Sequence, residues 1–161
     1  MENRAVSVPL EGQLKRENIL KLVPAGELLE HIKQLRDDAV AREPDMVPLN
    51  DADLHFTLVK DNVSQVPRHL DPAIPVPPMP LSFAAPQIAS ETRPGGKLKK
   101  SIFVRVNEQQ PLNDWVVNMV GVRCPDSERV YHVTLATLTG SPRDAISYPD
   151  PDSPSLNDHE P

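Results

Sequence analysis

A chain of 161 residues is long enough for one domain with a core of its own, and 19 prolines beside 39% hydrophobic residues require that part of it be irregular. Its formal charge of −6 argues against broad electrostatic adhesion to long nucleic acid or to an anionic membrane, while leaving room for a small nucleotide in a locally basic cleft. No run approaches the ~20 apolar residues of a membrane span, no signal-like apolar stretch follows Met1, and the single cysteine, Cys124, cannot close an intrachain disulfide; the expectation is a soluble protein of a reducing, cytoplasmic compartment.

In chain order, Ala5-Val6-Ser7-Val8 ahead of Pro9 predicts a short strand. Residues 13–22 mix Leu14, Ile19, Leu20 and Leu22 with Lys15, Arg16, Glu17 and Lys21, and are expected as a short helix or an irregular arm. Pro24-Ala25-Gly26-Glu27 opens the clearest helix, in which Leu28, Leu29, Ile32, Leu35, Ala39 and Val40 recur at helical spacing until Pro44 stops it by Glu43. His31 lies beside that stripe and reads as structural or solvent-facing. Asn50-Asp51-Ala52-Asp53 is turn chemistry leading into a strand at 53–59. Residues 61–70 have room for a turn of helix, and five prolines between 72 and 80 make 71–80 an extended connector.

Residues 81–85 and 87–92 predict a strand interrupted at Pro86, followed by the turn Arg93-Pro94-Gly95-Gly96 and a returning strand at 101–106. There Ile102, Val104 and Val106 share one face, and Ser101, Phe103 and Arg105 the other. Lys97, Lys99 and Lys100 near the turn read as an electrostatic lure or as a solvated turn. Pro111 suits a helix start, with Leu112, Trp115, Val116, Met119 and Val120 as its buried stripe. Asp126-Ser127-Glu128 turns the chain into a strand at 129–138, which Thr139-Gly140-Ser141-Pro142 ends. From 148 onward the acidic, proline-rich composition predicts a disordered tail, so the folded unit is expected over 1–147 and the tail over 148–161.

Two of these strands share a pattern. Leu54-His55-Phe56-Thr57-Leu58 and Tyr131-His132-Val133-Thr134-Leu135 both read apolar-His-apolar-Thr-Leu, 77 residues apart, each in a strand preceded by a helix. Because side chains alternate across a strand, His and Thr point one way and the apolar trio the other. The bland account is two half-buried strands with polar outer faces. The sharper one is a shared cleft: imidazole titrates at about 6.5, so one His can be basic while the other is protonated. Cleaving a phosphodiester needs such a base and acid, and a Thr hydroxyl can donate to the phosphate oxygens. Phe103 and Arg105 are further candidates, for base stacking and phosphate binding, against an ordinary exposed strand face.

His55-Phe56-Thr57 and His132-Val133-Thr134 resemble the paired signature of the 2H phosphoesterase superfamily, over roughly residues 25–147. The resemblance implies an α+β fold that is bilobal and pseudo-twofold, with antiparallel sheets flanked by helices around a central cleft. It implies His55 and His132 as acid and base, Thr57 and Thr134 as phosphate-binding hydroxyls, and no metal or other cofactor. Members include RNA end-processing enzymes, cyclic nucleotide phosphodiesterases and small phage proteins, some of which degrade cyclic oligonucleotide immune messengers (anti-CBASS nucleases); for such a protein the host cytoplasm is the expected compartment. The connector at 71–80 departs from the family, where a helix is often found. The acidic charge favours a cyclic nucleotide or cyclic oligonucleotide over long RNA. The alternatives are an RNA 2′,3′-cyclic phosphate end-processing enzyme, a non-catalytic module that sequesters a nucleotide, and a scaffold built on the connector and tail.

Overall fold

The computed structural model describes residues 7–67, 76–120, 130–146 and 148–156. Ala5 and Val6, residues 68–70, residues 71–75 of the connector, Cys124, the turn at 126–128 and the last five residues lie outside that set. The described strands are β1 (Val8–Pro9), β2 (Gly12–Arg16), β3 (Leu20–Pro24), β4 (Val47–Pro48), β5 (Phe56–Val59), β6 (Pro80–Leu81), β7 (Gln87–Thr92), β8 (Leu98–Arg105) and β9 (His132–Thr137). Helix α1 (Gly26–Arg42) joins β3 to β4, and α2 (Gln109–Val120) follows β8.

β1 and β6 pair by themselves, and the main sheet runs β2-β3-β5-β9-β8-β7, with β4 also on β9. Every pair is antiparallel. The fold is thus α+β, and the order hairpin, helix, strand occurs twice: β2-β3, α1, β5 and then β7-β8, α2, β9. The final strands of the two runs meet at the middle of the sheet.

Both helices cover the same side of it. Leu28, Ile32 and Ala39 of α1 and Leu112, Val116 and Val120 of α2 join one buried cluster with Leu54, Phe56, Leu58, Val133 and Leu135. Trp115 packs partly buried against that cluster, as its spacing predicts. His31 sits half-buried with its ring centroid 5.8 Å from that of Phe83.

A matching irregularity marks each central strand. Leu20 pairs with Val59 but Lys21 with Thr57, so Leu58 is an extra residue; Ile102 pairs with Ala136 but Phe103 with Thr134, so Leu135 is one too. Each repeated motif therefore ends on a bulge at its leucine, which breaks the alternation. The consecutive buried residues Leu58-Val59 and Leu135-Ala136-Thr137 follow from it.

Two regions differ from expectation. Residues 13–22 form neither a helix nor an arm but most of the β2-β3 hairpin, with Leu14 opposite Leu22 and Lys15 opposite Lys21. Leu14, Leu20 and Leu22 are all buried by the period-2 pattern. The segment 148–156 is packed, although its composition predicts disorder. Ser155 bridges Gln87, Ile88 N–H donates to the Pro154 carbonyl (3.0 Å), and Leu156 N–H donates to the Pro86 carbonyl (3.1 Å). Gln87 clasps the segment further, its Nε2 donating to the carbonyls of Pro151 (2.8 Å) and Ser153 (2.7 Å). Leu156 is 1% exposed, and its carbonyl accepts from Arg42 Nη2 at 2.8 Å. Leu156→Ala is therefore expected to destabilise the fold by about 2–5 kcal/mol, the range for a buried leucine. Urea unfolding with an unchanged midpoint would contradict this packing.

Candidate active site

β5 and β9 lie side by side with Phe56 opposite Val133. One step either way along an antiparallel pair sets His55 opposite Thr134 and Thr57 opposite His132. The apolar members of both motifs, Leu54, Phe56, Leu58, Tyr131, Val133 and Leu135, are all buried under the helices. The other face carries the two histidines and two threonines, and all four line one cleft of about 630 Å³.

The two imidazoles are held alike. His55 Nδ1 lies 2.8 Å from the Asp53 carbonyl, and His132 Nδ1 lies 2.8 Å from the Val130 carbonyl, in each case two residues back. A carbonyl oxygen only accepts, so each Nδ1 carries the proton and Nε2 is the nitrogen that can exchange one. His132 is buried and has the Phe103 ring edge-on at 5.8 Å, whereas His55 is half-buried.

A helix steadies the backbone before each histidine. Arg36 of α1 donates through Nη1 to the Leu49 carbonyl (3.0 Å) and to Asp51 Oδ1 (2.6 Å), fixing the single 3₁₀ turn Asp51–Asp53 that supplies the His55 acceptor. Gln109 of α2 accepts from Tyr131 N–H at 2.9 Å and donates to the Tyr131 and Val106 carbonyls at 2.8 and 2.7 Å. The hydrogen bond from Arg36 holds the Asp51 carboxyl below its ordinary range, with Lys33 adding to it. A carboxylate depressed in the folded state contributes stability above its unfolded pKa of about 3.9, and loses it as pH falls through the lower folded value. Arg36→Met should accordingly lower stability at pH 7 and narrow the gap between stabilities measured at pH 7 and pH 3. An unchanged gap would mean that Arg36 does not set the ionisation of Asp51.

Phe103 and Arg105 do not line the cleft. Phe103 is 0% exposed, covered by Ala89 and Ile146, and offers no open ring face to a base; its observed partner is His132. Arg105 is half-buried and donates through Nε to Gln87 Oε1 at 2.8 Å. The alternation places both on the histidine side of β8, and distant segments then claim them.

The cleft holds cations that the motif does not reveal: among the described residues Lys21, Lys60, Lys99 and Arg143 line it, against the carboxylate of Glu17. A chain with a formal charge of −6 thus surrounds its two histidines with positive charge. Lys97 and Lys100, from the same turn as Lys99, are not part of the lining. No family model matches the chain, and neither a curated protein nor a solved structure is significantly similar to it.

Proposed function

We propose that the chain is a phosphodiesterase of the 2H type, acting on a nucleotide with His55 and His132 as its acid-base pair. The observation that carries the reading is the matched seating of the two imidazoles: both in one cleft, both with Nδ1–H committed to a carbonyl two residues back, both beside a threonine of the neighbouring strand. The repeated hairpin-helix-strand order supports a pseudo-twofold axis through the Phe56–Val133 pair, and with it a bilobal arrangement.

In this mechanism one neutral Nε2 takes the proton from a ribose 2′-hydroxyl or a water as its oxygen bonds to phosphorus. The protonated Nε2 of the other histidine gives its proton to the leaving oxygen as the second phosphorus–oxygen bond breaks. Thr57 and Thr134 donate to the non-bridging oxygens, and the surrounding cations offset the charge that builds there. The base, the acid and the phosphate donors are all side chains, so the step calls on no metal or other cofactor. The near-equivalence of the two histidines lets them exchange roles with the direction of attack. The substrate class is a cyclic nucleotide or cyclic oligonucleotide, which includes immune messengers, since a cleft of about 630 Å³ suits a compact ligand.

The test is incubation with cyclic di- and trinucleotides, 2′,3′-cyclic mononucleotides and short RNA in the presence of a chelator. Turnover of a cyclic species that survives chelation is the expected result, with a bell-shaped pH profile whose limbs belong to the pair. Tight binding without any product would overturn catalysis in favour of sequestration.

A further inference from the structure

The cations of the cleft divide by strand order. Lys21 of β3 and Lys60, just beyond β5, stand on one flank of the histidine-threonine quartet; Lys99 of β8 and Arg143, beyond β9, stand on the other. The flanks are chemically different. On the first, Lys21 Nζ lies 3.3 Å from Glu17 Oε1 and so meets a carboxylate within the cleft. On the second, Lys99 Nζ donates to the Arg143 backbone carbonyl at 3.2 Å, which draws an ammonium toward the residue that carries a guanidinium. Among the described residues neither side chain is paired with a carboxylate, so both cations line this flank of the cleft with their charge available to a bound anion.

The backbone that carries Arg143 is fixed. Gly140 turns the chain at a φ of 82°, a conformation that other residues rarely adopt, and its N–H donates to the Thr137 hydroxyl at 2.8 Å. That hydroxyl donates to the Ser141 carbonyl at 3.1 Å, and Ser141 Oγ accepts from Arg143 N–H at 3.2 Å. On the far side, Ile146 N–H donates to the buried Ser101 hydroxyl of β8 at 2.8 Å. Lys99 and Arg143 are thus presented from a braced loop and a long strand.

We propose that Lys99 and Arg143 form a second phosphate subsite beside the reacting centre, so that the substrate carries at least two phosphates. The inference rests on the phosphodiesterase reading above and selects within it: a cyclic oligonucleotide has a second phosphodiester to offer, whereas a 2′,3′-cyclic mononucleoside phosphate has none. Bridging the quartet and the subsite also fixes the orientation in which the scissile phosphate meets the two histidines.

Binding and turnover test the two readings separately. Titrate a cyclic dinucleotide into the His55→Ala/His132→Ala protein and into the same protein carrying Lys99→Ala and Arg143→Ala, with folding checked by thermal melting. Each lost charge-assisted contact is expected to weaken binding by about tenfold or more, and the surviving affinity should depend less on salt. Equal affinities, or no binding by the first protein, would overturn the subsite. The wild-type protein should also cleave the cyclic dinucleotide with a higher kcat/KM than a 2′,3′-cyclic mononucleotide; comparable values would overturn the subsite while leaving the phosphodiesterase standing. Binding that depends on Lys99 and Arg143, with no turnover of either compound, would retain the subsite and remove the enzyme.

Discussion

Replacing either His55 or His132 with alanine is expected to reduce turnover of a cyclic nucleotide substrate by about 10²–10⁴-fold, the usual worth of a positioned acid or base. The double variant should fall little further than either single one. With one proton carrier missing, the concerted transfer is already broken, and groups that act as a unit do not contribute additively. The matching Nδ1 contact of the two rings, each 2.8 Å from a carbonyl two residues back, is what makes the two single losses comparable. A His132→Ala protein that turns over normally would end the paired-histidine mechanism. Substitution by glutamine separates shape from proton transfer: it keeps a polar side chain in the cleft but cannot shuttle a proton at neutral pH, so activity should stay low.

The second large effect is on stability. Phe56 is 0% exposed, sits on β5 opposite Val133 of β9, and has its ring centroid 6.2 Å from that of Phe83. Phe56→Ala should cost about 3–5 kcal/mol, a large share of the ~5–15 kcal/mol available to an ordinary domain. Phe56→Leu fills more of the space and should cost less. Because Phe56 sits between His55 and Thr57, the alanine variant should also lose activity under conditions where it remains folded, as the quartet loses its backing. Chemical denaturation and residual turnover in the native baseline measure the two effects. A variant that stays fully stable would place Phe56 outside the core.

The centre of the site was legible because it obeys a local rule. Period-2 alternation assigns His55, Thr57, His132 and Thr134 to one face and their apolar neighbours to the other, and no long-range knowledge is required. The helix at 26–42 and the 87–105 hairpin were readable for similar reasons, through a continuous apolar stripe and a Pro-Gly-Gly turn. The β2-β3 hairpin was not, because its turn at 17–19 lacks glycine and proline and its leucines suit either period. The two bulges were equally hidden, since Leu58 and Leu135 look like ordinary strand residues until the partner strands are known.

The cations illustrate a different difficulty. Lys21, Lys60, Lys99 and Arg143 come from four separate parts of the chain, and only the strand order brings them around one cleft. The same strand order explains Phe103: its direction follows from alternation, but its cover comes from Ala89 and from Ile146, which is far away in sequence. For residues 148–156, composition correctly registers few apolar groups, yet a single buried leucine and a row of backbone hydrogen bonds suffice to seat the segment.

That segment also bears on self-association. β7 is the last strand of the main sheet on its side, and an uncovered last strand is a template on which another molecule can add a strand. Pro154, Ser155 and Leu156 occupy hydrogen-bonding positions along its start. Pro149, Pro151 and Pro154 have no N–H to donate, so the covering segment cannot itself serve as a full template for the next chain. A stretch whose composition suggests a loose end therefore occupies the start of this margin of the sheet, where another chain would otherwise pair.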